Sequence, residues 1–161
     1  MDAGVCREHL ASLLREESAL LAELEDLLTR ESRILETSDI QALETTTRAR
    51  QERMGALARI EEQRRSLCAL HGFSGDRAGL ESLMAWCDSE GTLLSRLREC
   101  AEHAVRCRDL NDRNGIVVAA RLKRVEGMLD ALTGRPTRSD TYGPKGYSAS
   151  NTRPGRVLGA A

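Results

Sequence analysis

Aromatic side chains are nearly absent from this 161-residue chain: Phe73, Trp86, Tyr142 and Tyr147 are the whole set. Thick globular cores are filled by aromatics, whereas Leu and Ala suffice for thin seams between helices. The scarcity excludes a broad core and points to long paired helices. Proline is confined to Pro136, Pro144 and Pro154. No run approaches the roughly 20 apolar residues needed to span a bilayer; the longest covers residues 115–120. The amino terminus lacks a basic-then-apolar signal pattern, which favours the cytoplasm.

Chemistry-bearing motifs are missing as well. Neither G-x-x-x-x-G-K-[ST] nor G-x-G-x-x-G occurs, so no glycine-rich turn is present to cradle phosphate. Ser, His and acidic residues fall on expected helix surfaces, and thin bundles lack the concave pockets where catalytic groups meet. The expectation is therefore no enzyme and no cofactor. Five cysteines (Cys6, Cys68, Cys87, Cys100, Cys107) include no C-x-x-C pair and read as small buried hydrophobes with free thiols. Cys100, His103 and Cys107, with Cys68 and His71 near a turn, are the best candidate zinc set. The paired spacing usual for zinc is lacking, so no metal is expected.

The net charge is only −1. It divides unevenly: residues 134–161 carry a net +4 and the rest −5. An acidic body with a basic tail does not suit a nucleic-acid binder, which wants a basic stripe on the folded part and stacking aromatics.

What the chain does have is hydrophobic periodicity. Leu14, Leu21, Leu28 and Leu35 form one heptad row over residues 3–36, and Leu13, Leu20, Leu27 and Ile34 the adjacent one. Together they make a stripe wide enough to touch two neighbouring helices. Ser38 with Gln41 has capping-box spacing, which starts a second helix over 39–70 returning antiparallel to the first. Its seam (Ile40, Leu43, Met54, Leu57, Ile60, Leu67, Cys68) is thinner. After a turn at 71–75, a third helical region over 76–133 carries a seam through Leu80, Leu83, Cys87, Leu94, Leu97, Ala101 and Ala104, then Val118, Leu122, Val125, Leu129 and Leu132. Between the two halves the seam positions fall on Arg108, Asn111 and Gly115, where uniform coiled-coil packing would not place them. Gly91 is one candidate break in this region and 111–115 the better one, where a kink or break is expected because Asn and Gly are poor helix formers. Gly134 and Pro136 stop the helix.

The fold expected is all-α: an elongated antiparallel bundle of three to four long coiled-coil-like helices. The helical domain spans 3–133, with a hairpin at 3–70, and 134–161 form a flexible, disordered basic tail. Val118, Leu122, Val125, Leu129 and Leu132 make the last segment amphipathic enough to accept a partner helix. Tyr142 stands among turn-forming residues as a single anchor in the tail. The competing expectation is a coiled-coil adaptor or scaffold that self-associates through the same seam.

The stretch 108–115, Arg-Asp-Leu-Asn-Asp-Arg-Asn-Gly, resembles the L-N-x-x-N-G motif of the FlgN family of flagellar type III export chaperones. Tyr142-Gly143-Pro144-Lys145-Gly146 is similar to that family's Y-G-x-x-G element, and Arg121, Leu122, Val125, Leu129 and Leu132 match its amphipathic segment in spacing. The specific match covers about residues 108–146. The resemblance implies a cytoplasmic chaperone that holds flagellar hook-associated proteins and delivers them to the membrane export gate, touching the membrane machinery only transiently. It assigns client binding to Val118, Leu122, Val125, Leu129 and Leu132, and gate docking to Tyr142 and Gly143. Asn111 and Asn114 would set the kink or register through backbone hydrogen bonds without touching the client, with Gly115 completing the structural motif.

Overall fold

Leu14, Leu21 and Leu28 recur every seven residues, and that spacing builds the molecule around its first helix. The structure, a computed structural model, describes residues 2–134. Four helices follow in order: α1 (Ala3–Thr37), α2 (Ile40–Leu70), α3 (Arg77–Cys87) and α4 (Thr92–Thr133). No strand occurs among the described residues, and the fold is all-α.

α1 is the central helix of the body and buries Leu10, Leu13, Leu14, Leu21, Leu24, Leu28 and Leu35. It ends at Ser38, whose φ of 63° is left-handed and whose amide donates to the Ile34 carbonyl. Asp39 rather than Ser38 caps α2, its carboxylate accepting the Ala42 amide at 3.0 Å. Two residues thus share the work at this turn, one closing a helix and one opening the next. α2 runs back along α1: Arg53 pairs with Glu23, and Arg64 donates to Glu17 at 2.5 Å. Burial works against the Arg64 charge, but Glu17 and Glu61 outweigh it and raise its pKa.

α3 runs against α1 and covers its first turns with Leu80, Leu83 and Met84. Its start fits tightly, since a Cβ on Gly79 would lie 1.9 Å from the Ser74 carbonyl oxygen. The chain then reverses at residues 88–91, where Gly91 takes φ +73°. Asp88 pins this turn: its carboxylate accepts from the Leu93 amide at 2.7 Å, the Thr92 hydroxyl at 2.9 Å and Arg7 Nε at 3.2 Å. These bonds, the Leu93 amide first among them, hold its pKa below the usual carboxylate range.

The interruption of the third helical region therefore falls at 88–91. Residues 111–115, expected to kink or break it, lie inside α4. The break is thus at Gly91, the lesser of the two candidates; the heptad of Cys87 and Leu94 keeps step across 88–91 and makes the reversal resemble continuous helix.

α4 lies parallel to α1 through a seven-residue ladder. Cys100 Sγ donates to the Leu14 carbonyl at 3.8 Å, Cys107 Sγ to Leu21 at 3.5 Å, and Asn114 Nδ2 to Leu28 at 2.9 Å. Small side chains at these three positions let α4 approach the α1 backbone. With Leu93 they are the buried residues of α4. The expected seam misses this line, Ala101 by one residue and Ala104 and Asn111 by three, and those three are exposed. The first compact unit ends at Leu122, within α4.

Candidate functional site

The last buried position on α4 is Asn114, and beyond it the apolar side chains continue without cover. Val118 is 46% exposed, Leu122 59%, Val125 51%, Leu129 55% and Leu132 83%. Their 4, 3, 4, 3 spacing keeps them on one side of the helix. Isolated exposed leucines need no explanation, whereas a run of five at helical spacing does. Ile116, Val117 and Met128 are exposed too. Each of the five residues expected to bind a client is thus an exposed apolar residue of α4.

The three motif residues separate in role. Asn114 is buried, donating to the Leu28 carbonyl and, at 3.0 Å, to Glu31 Oε2. Glu31 is itself buried on α1 and lies 3.6 Å from Arg50 Nη1 of α2. The same guanidinium donates to Asn111 Oδ1 at 2.7 Å. Asn111, Arg50, Glu31 and Asn114 therefore form one polar layer joining α1, α2 and α4. A buried carboxylate is tolerated when donors meet it on both sides, as here. Gly115 belongs to no such network: it is exposed, and a Cβ there would meet nothing within 4 Å.

Two roles escaped the sequence reading, the burial of Glu31 and the tethering contact of Arg121, a residue that it names only for its spacing. Glu31 looks like any surface acid of an amphipathic helix, and nothing within α1 marks it as buried. Arg121, half-buried, donates to the Ser38 hydroxyl at 2.9 Å and tethers α4 to the end of α1. A signal for Arg121 was available in the seven-residue steps Cys100, Cys107, Asn114 and Arg121, which match Leu14, Leu21, Leu28 and Leu35 one for one.

Cys100 and Cys107 point at carbonyls of α1, while His103 Nε2 meets Glu25 Oε2 at 2.5 Å. The three are committed to separate partners, and among the described residues no group of three or more His, Cys, Asp and Glu is gathered as a metal site. Burial pushes the Cys100 thiol up to about 11 and Cys6 to about 12, which keeps both protonated. No helix among the described residues is long and apolar enough to cross a membrane. Tyr142 and Gly143 lie outside the described residues.

Comparison with known proteins adds one finding. The family model described as FlgN protein matches residues 1–150. No curated protein and no solved structure matches the chain.

Proposed function

The chain belongs to the FlgN family of flagellar export chaperones, and from that premise we propose that α4 carries its client-binding face at Val118, Leu122, Val125, Leu129 and Leu132. The observation that supports this reading is the exposure of all five side chains, from 46% to 83%. An apolar helix face of this kind is complementary to an amphipathic helix of a partner. The clients are hook-associated proteins, held unassembled in the cytoplasm and handed to the export gate, with Tyr142 and Gly143 as the gate-docking element. The role is one of binding rather than catalysis.

Covering five half-exposed aliphatic side chains contributes on the order of 1 kcal/mol each. Part of that is lost to the cost of association, which suits a reversible grip better than a permanent one. Leu122→Asp combined with Leu129→Asp replaces two apolar contacts by carboxylates that resist burial. The double variant is expected to lose roughly 100-fold or more in affinity for a hook-associated protein, about 3 kcal/mol. Helicity by circular dichroism should stay unchanged, because both residues are exposed in the free chain. Titration calorimetry reads the outcome, and undiminished binding assigns the client to another surface. In a secretion assay, Tyr142→Ala should bind clients normally yet export them poorly; normal export removes Tyr142 from gate docking.

A further inference from the structure

A second apolar surface lies within the body, between α2 and α4. Leu24 and Leu28 of α1 form its floor, Met54 and Leu57 of α2 one wall, and Ala104 of α4 the other. The hollow measures about 240 Å³. That is smaller than most small-molecule pockets, and it lacks the converging polar groups that orient a metabolite. Met54 is 55% exposed beside this apolar floor, although a flexible methionine could fold down onto it. Around Ala104 the hollow adjoins another of about 210 Å³, reached by Leu97 and Ala101. From Leu97 to Asn111 the trough follows α4 for about four turns, roughly 21 Å. The polar layer of Asn111, Arg50, Glu31 and Asn114 stands at its far end.

We propose that this trough docks an amphipathic helix of about 14 residues belonging to the client, with a carboxylate of that helix against Arg108. The proposal rests on the chaperone reading above and adds a second hold to it. Three helices already surround the trough on three sides, and a helix completes such a bundle more fully than any other occupant. Charge selects the acidic flank. The lining of the 240 Å³ hollow includes two guanidiniums, Arg50 and Arg108, and no carboxylate. Glu31 answers Arg50 from behind, whereas Arg108 is exposed and forms no ion pair among the described residues. The other hollow is lined by charges of both signs and expresses no preference.

The test uses the full-length chain and a full-length hook-associated protein, with affinity measured by calorimetry at low and high salt. Met54→Glu and Arg108→Glu both change exposed side chains, so melting temperature and helicity serve as controls that the fold is kept. Met54→Glu is expected to weaken binding about 10-fold or more. Arg108→Glu is expected to weaken it about 3- to 10-fold at low salt, with the difference shrinking at high salt. If both variants bind like the parent while the Leu122→Asp, Leu129→Asp chain does not, the trough is overturned and the α4 face stands. If the parent retains no hook-associated protein, the chaperone reading fails and takes the trough with it. If the free chain sediments as a dimer that Met54→Glu dissociates, the occupant is a second copy and the proposal is overturned.

Discussion

At the scale of single residues, the adjacent pair Asn114 and Gly115 separates two kinds of constraint. Asn114 satisfies a backbone carbonyl and a buried carboxylate at once. Removing its amide leaves both acceptors buried without that donor, at a cost of about 2 kcal/mol. Asn114→Ala is therefore expected to lower the urea midpoint clearly, while Gly115→Ala raises it. A methyl group at 115 meets nothing, and alanine outranks glycine in a helix by roughly 1 kcal/mol. Opposite shifts in paired urea denaturations check the assignment; a neutral Asn114→Ala would mean that the polar layer does not hold α4. Local propensity at 111–115 suggests a weak point rather than a clasp, whereas the family resemblance assigns Asn111 and Asn114 to setting the kink or register through backbone hydrogen bonds. Asparagine is a poor helix former on its own account, and its compensation comes from Glu31, 83 positions away. Local propensity carries no trace of such a partner.

Helices and turns were more legible than single side chains, with one instructive failure. The leucine rows of α1 lie every seven residues because α1 is packed along its whole length, so its span and seam could be read directly. Gly91 marks the turn at 88–91 as a candidate break, but it ranks below 111–115 because its flanks keep heptad phase and because the decisive group, Asp88, acts through hydrogen bonds rather than hydrophobicity. Its carboxylate accepts from Leu93, Thr92 and Arg7, which holds its pKa below the usual range. A group so stabilised as the anion contributes at neutral pH and loses that contribution as the pH falls through its lowered pKa. Asp88→Asn should lower Tm by several degrees at pH 7, and the gap from the parent should close in acid as the parent's own carboxylate protonates. Thermal melts across that range measure it. A gap independent of pH would place the effect in shape rather than charge.

At the scale of the whole chain, stability and the proposed binding function are carried by different residues. Among the described residues none after Asn114 is buried. The core cluster draws instead on α1, the end of α2, α3 and the first part of α4. A helix segment that buries no side chain adds little to global stability, since tertiary packing rather than propensity supplies most helical stability in proteins. A chain ending at Leu122 retains the whole ladder from Cys100 to Asn114 and the Arg121 tether to Ser38. It lacks Val125, Leu129 and Leu132, three of the five proposed client contacts. Such a chain is expected to melt within about 3 °C of the full length, because none of the described residues it loses is buried. Its affinity for hook-associated proteins should fall by at least roughly 10-fold, as expected when three partly exposed apolar side chains no longer become covered. Calorimetric melting and client titration on the same preparation separate the two effects. A fall of 10 °C or more would mean that residues beyond 122 support the fold, and unchanged affinity would move client binding onto the body.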